Sequence, residues 1–172
     1  MVIPNFSSVF VSKALEHFGK FGDRCVIFRI FFKAQWMCKI MGGVPQGQHN
    51  VGLTDPLFSH PDVEDIVFEK KVVSIRNPRE CNLTAYFWGI ISQRGINEIL
   101  YVPILLDGLN AEWVIVIDAC GERTFPLSDI EFFGKLEELF SFLLWKEKNP
   151  EGRWSTFEIR RIAAKKARLE IV

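Results

Sequence analysis

An α+β fold, an antiparallel five- or six-stranded sheet with helices on both faces, follows from three features of the sequence. In the runs 25–32, 99–106 and 113–117, apolar residues occupy both alternating sets of positions, so each strand needs cover on its two sides. Asp107-Gly108 and the spacer through Glu112 separate the last two runs by the length of a tight connection, which makes them an antiparallel hairpin. Helical periodicity before, between and after the strands supplies the cover.

Taken in order, Phe6, Val9, Phe10, Ala14 and Phe18 recur at three- and four-residue spacing and predict a helix over 5–18, ended by Gly19 or Gly22. His17 lies on or beside its apolar stripe and receives no role. Two strands joined by a short turn fit the run from Arg24 to Met41. Arg29 interrupts the first of them, and a guanidinium there needs an acceptor: a helix carboxylate, or an anionic ligand that it clamps. Residues 42–61, with Gly42-Gly43, Pro45, Gly47, Gly52 and Pro56, read as a long loop with at most one turn of structure. His49 and His60 fall in it without metal-ligand spacing and read as solvated.

Pro61 to Phe68 forms a short helix with Asp62 as its cap and Lys70-Lys71 at its close. Val72 to Ile75 is a short strand stopped by Arg76-Asn77-Pro78, and Thr84 to Gln93 is a helix ended by Gly95. Tyr86, Trp88 and Ile91 project from that helix, as core or as part of a ligand cage. In the hairpin, Pro103 has no N–H to donate, which predicts a bulge or a position where none is needed.

Ser128 and Glu131 form a capping box that starts a helix running to about Trp145. Ile130, Phe133, Leu136 and Phe140 give it a sheet-facing stripe. Phe132, Leu139, Phe142 and Trp145 exceed what one sheet face requires, and an apolar surplus of that size predicts a homodimer through the 5–18 and 129–145 helices. Asn149 to Gly152 breaks the chain, and Ser155 with Glu158 caps a last, basic helix. The organisation expected is a domain over 1–149 and an extension over 150–172 that docks on an effector domain or partner protein.

With 172 residues, 48% hydrophobic and 16 Phe, the chain has the material for a core of ordinary size. Its 21 basic and 21 acidic side chains cancel, leaving no global field for a polyanion, so nucleic acid is not an expected partner. No apolar run approaches the roughly 20 residues that span a bilayer, so no membrane partner is expected and the cytoplasm is the expected location. Cys25, Cys38, Cys81 and Cys120 have no C-x-x-C spacing and read as free thiols of a reducing compartment.

The element order, together with Ile99-Leu100-Tyr101-Val102-Pro103-Ile104, the Asp107-Gly108 turn and the Phe125…Ser128-Asp129 entry to the long helix, resembles the GAF domain over about residues 5–147. Lys70-Lys71-Val72-Val73-Ser74-Ile75 is similar to the segment that precedes the family's ligand-side helix. The resemblance implies a non-catalytic sensory domain. A small-molecule ligand would sit between the sheet, the 42–61 loop and the 84–93 helix, and the terminal helices would transmit the change. It implies Arg29, Cys38, Tyr86, Trp88, Tyr101 and Trp113 as candidate ligand-binding residues, and it names no cofactor.

Trp113 stands where the family's second hairpin strand usually starts with a glycine, which implies a smaller or filled pocket and leaves an interaction or dimerisation module as the alternative. The chain departs from the cyclic-nucleotide-binding members in lacking their Asn-Lys-Phe-Asp-Glu constellation, and from the bilin-binding members in having no Cys followed by His. The family's free-methionine sulfoxide reductases carry cysteines before the hairpin. Only Cys81 sits near that place, so a thiol-dependent enzyme is the third reading.

Overall fold

The computed structural model describes residues 6–32, 35–105, 110–125, 141–142, 145–146 and 149–158. Helix α1 (Phe6–Phe18) leads into strands β1 (Arg24–Phe31), β2 (Met37–Val44) and the short β3 (Thr54–Pro56). Helix α2 (Pro61–Glu69), β4 (Val73–Arg76), a 3-10 segment (Asn82–Phe87) running into α3 (Trp88–Arg94), and the hairpin strands β5 (Ile96–Leu105) and β6 (Ala111–Cys120) follow. The six strands form one antiparallel sheet in the order β3-β2-β1-β6-β5-β4. The 106–109 turn and the capping box at Ser128 fall outside the described residues.

The strands that are apolar on both faces stand at the centre, as their patterning requires. One face carries α1, whose Phe10, Val11, Ala14 and Phe18 pack on Cys25, Ile27, Leu100 and Ile115. The other carries α2 and α3, whose Val63, Ile66, Val67 and Ile91 pack on Phe28, Ile30, Ile99 and Val114. Each fully buried side chain of this kind contributes about 1.5–3 kcal/mol. Trp145 and Phe157 join the α1 face, so the end of the 129–145 segment lies on the side expected for it. Pro103 pairs with Val114 on β6, but the β4 ladder stops at Tyr101, so β5 is paired on one side only where the N–H is missing.

Four local expectations are corrected. Residues 42–61 are not one loop: β2 runs on through Gly42 and Gly43 to Val44, and β3 begins at Thr54. Asp62 is not the cap of α2. His60 holds that position, and Asp62 turns inward, 3% exposed, to accept the hydroxyl hydrogens of Tyr86 and Tyr101. The 84–93 helix is partly 3-10, because the Thr84 hydroxyl and Trp88 Nε1 both donate to the carbonyls of Pro78 and Cys81 and hold the segment in tighter turns. His49 and His60 are half-buried and hydrogen-bonded rather than solvated.

A buried carboxylate that the sequence did not announce ties the sheet edge together. Glu98, 1% exposed, accepts from the Ser74 hydroxyl and Arg76 Nε on β4 and from the Phe125 amide after β6. At the other end of the chain, Phe142, Trp145, Trp154 and Phe157 form one aromatic cluster with ring centroids 4.7–6.1 Å apart. Two of the four surplus residues, Phe142 and Trp145, are thus covered from within the chain. Phe132 and Leu139 lie outside the described residues.

Candidate functional site

On the α2/α3 side of the sheet lies a cleft of about 200 Å³. Its floor is apolar, formed by Val26 and Phe28 of β1, Ile40 of β2 and Val116 of β6. Its rim is polar and comes from five places: Arg24 at the start of β1, His49 after β2, His60 and Asp62 at α2, Tyr86 before α3, and Asp118 near the end of β6.

Cross-strand register explains the first pair. Arg24 lies opposite Asp118 in the β1/β6 ladder, and its Nη1 donates to Asp118 Oδ2 at 3.0 Å. Its Nη2 stands 3.1 Å from His49 Nδ1. A guanidinium has only donors, so Nδ1 must accept; Nε2, 3.2 Å from the Val44 carbonyl, must then carry the proton. His49 is therefore a neutral imidazole in one tautomer, consistent with burial pulling its pKa down. Burial also pushes Asp118 up to about 6 against the pull of Arg24 and Arg94, and it lowers Arg24 despite Asp118. The two shifts agree that desolvation costs this pair more than its mutual attraction returns.

The second group is a relay. Tyr86 donates to Asp62 Oδ1 at 2.7 Å, and Tyr101 donates to Asp62 Oδ2. His60 lies 3.3 Å from the Tyr86 hydroxyl through Nδ1 and 3.3 Å from Asp55 Oδ2 through Nε2. Burial raises Asp62 above the ordinary carboxylate range, with the two tyrosine hydroxyls opposing it. Burial and the neighbouring carboxylate raise both phenols in turn, so the hydroxyls remain donors.

The six candidate residues separate in space. Tyr86 lines the cleft. Tyr101 is fully buried behind it and reaches it only through Asp62. Cys38 is buried on the same face, its thiol 3.7 Å from the Asp55 carbonyl. Trp88 turns aside to the Pro78 and Cys81 carbonyls. Arg29 and Trp113 are placed on the α1 face instead: the guanidinium lies 5.4 Å from the Trp113 ring, and that ring packs on Phe10. Strand alternation is the reason, since Arg29 stands one residue from Phe28, which faces the cleft. Trp113 therefore fills the opposite core and leaves the cleft open.

Sequence reasoning missed Arg24, His49, His60, Asp62 and Asp118. The signal available for Asp118 was an acid directly after the apolar run 113–117. Its partner at Arg24, 94 residues away, depends on strand pairing that no local pattern shows.

No family model matches the sequence, and no curated protein does. Among solved structures, the chain is similar to the phycoerythrobilin-bound GAF domain of a cyanobacterial phytochrome (TM-score 0.65, 12% identity, 86% of this chain and 90% of that one). It is similar also to the GAF domain of a two-component sensor histidine kinase from Bacillus halodurans (0.62, 16%, 84% and 95%). A third is the type II free methionine-R-sulfoxide reductase from Thermoplasma acidophilum (0.63, 14%, 83% and 96%). The six-stranded antiparallel sheet flanked by helices is thus the GAF fold.

Proposed function

We propose that the chain is a non-catalytic sensory domain that binds a small molecule in this cleft and passes the change on through the elements that frame it. The observation that carries this reading is the convergence of polar groups from β1, the loop after β2, α2, the segment before α3 and β6 around one apolar-floored space. Such a cleft has the make-up of a ligand site, apolar walls with a few directed polar groups. A molecule that disturbs Tyr86 acts at once on Asp62 and α2, and one that disturbs His49 acts on the β2–β3 connection.

Phytochrome and kinase GAF domains among the structural neighbours support a sensory role. The volume, below the roughly 300–1,000 Å³ of pockets for drug-sized ligands, favours a compact metabolite over a linear tetrapyrrole. A reductase is less favoured: none of the four cysteines lines the cleft, Cys81 included, and burial raises the thiols of Cys25, Cys38 and Cys120, whereas a reactive thiol is held low. Output through a homodimer, or through a partner at the C-terminal side, completes the proposal.

Ligand-observed NMR against a metabolite library tests it. Binders should lose their signal on Ile90→Trp, which fills the mouth of the cleft at a half-exposed position. A library without a single binder that responds to Ile90→Trp, on a protein with native amide dispersion, refutes the reading.

A further inference from the structure

The cleft holds a shortage of acceptors. Arg24 uses Nη1 on Asp118 and Nη2 on His49, while its Nε is buried with no partner among the described residues. Nη1 of Arg94 is buried and unpartnered in the same way. Arg94 also lies close enough for its charge to act on Arg24, His49 and Asp118. A buried donor left unmade costs more than an ordinary hydrogen bond contributes, so two such donors near one cleft need an explanation.

Nε and Nη2 together form the side-on fork with which a guanidinium grips two oxygens of a carboxylate or phosphate. His49 occupies half of that fork, because an imidazole nitrogen offers a single lone pair. The ring is not otherwise free to shift inward. It lies flat on Gly43, where a Cβ would come within 2.2 Å of it. Charge points the same way as geometry. Asp118 feels two guanidinium groups, Arg24 by contact and Arg94 through its charge, and the other carboxylate of the rim, Asp62, is already committed to two tyrosines.

We propose that the cleft takes a small organic oxyanion, whose two oxygens displace His49 from Arg24 and occupy the Nε/Nη2 fork while its apolar body rests on Val26, Phe28 and Ile40. The proposal rests on the reading of the cleft as a ligand site and adds the ligand's chemical class. His49 is the placeholder: in the empty state it satisfies Nη2, and its departure frees the connection between β2 and β3. A carboxylate and a phosphate ester share the chemistry required.

The test follows the Arg24 Nε–H resonance by NMR at neutral pH and constant ionic strength while acetate, inorganic phosphate or chloride is added. A saturable shift with acetate or phosphate but not chloride is expected, and whichever anion binds more tightly identifies the headgroup. His49→Ala removes the competitor and should tighten that binding roughly tenfold, the equivalent of one net hydrogen bond. Arg24→Gln, read through the backbone amides of Ile40 and Val116 in the cleft, should abolish it, and the pair Arg24→Gln/Asp118→Asn repeats that reading without a stranded carboxylate. Chloride-like behaviour of both oxyanions, or unchanged affinity in His49→Ala, overturns the proposal. Neutral metabolites that bind and respond to Ile90→Trp while the oxyanions do not would overturn it and leave the sensory reading standing.

Discussion

Asp62 and Asp118 are both carboxylates taken out of water, yet their partners differ and so do the outcomes expected of them. Asp62 depends on neutral donors. Tyr101→Phe removes one of its two tyrosine hydroxyls without changing the ring, leaving Oδ2 buried and short of a partner; a hydrogen bond to a charged group is worth about 1.5–3 kcal/mol, and urea denaturation should show a loss in that range. Asp118 depends on a guanidinium that returns less than burial takes. Its folded pKa of about 6 stands above its ordinary value of 3.8, so between those limits the folded state holds a proton that the unfolded chain releases. Its contribution to stability is full below the lower value and is lost as pH rises through about 6, with no further change above. The carboxyl carbon of Asp118 should accordingly titrate with a midpoint near 6; a midpoint in the ordinary range would show that the attraction of Arg24 offsets desolvation in full.

Among the elements, β2 and its connection to β3 decide how the cleft is closed. Gly42 lies under α1, where a Cβ would stand 2.6 Å from a methyl of Val11, and Gly43 lies under the His49 ring on the opposite face. Gly43→Ala should push His49 off the sheet, break its bonds to Arg24 and the Val44 carbonyl, and move the ring nitrogen signals of His49 toward those of a solvated imidazole. Unchanged nitrogen shifts would mean the ring is not seated as described. The same two glycines explain why this element was hidden in the sequence. Glycine read as a breaker when its use here is close approach on both faces of a strand. The β1, β5 and β6 strands were legible because burial on both faces leaves a long apolar run, broken in β1 by Arg29 alone, and α1 because its 3.6-residue period is intact. Asp62 was misread because an acid in the first turn of a helix fits a cap as well as it fits an inward-facing acceptor. The cleft lies between the elements expected to frame it, yet of its polar residues only Tyr86 was legible, since most of the others meet by pairing between distant strands.

For the whole molecule, the open question is what covers the α1 face where the chain supplies more apolar surface than the sheet needs. A homodimer through residues 5–18 and 129–145 is the proposal that the surplus motivates, and sedimentation at micromolar concentration measures it. Its motive is smaller now: Trp145 is 7% exposed and Phe157 2%, and the two pack together with Phe142 and Trp154. Gly152 allows that closure, since a Cβ there would meet the Trp145 ring at 2.2 Å. The stretch 149–158 is therefore tied to the core through Gly152 and Phe157. Phe157→Ala should cost about 3–5 kcal/mol, the range for truncating a fully buried aromatic. It should also raise the fluorescence exposure of Trp145, while the cleft on the other face keeps its affinity for whatever ligand it takes. A change near zero would mean that Phe157 hangs free of the core in solution, returning Phe142 and Trp145 to the surplus and restoring the full motive for a second chain.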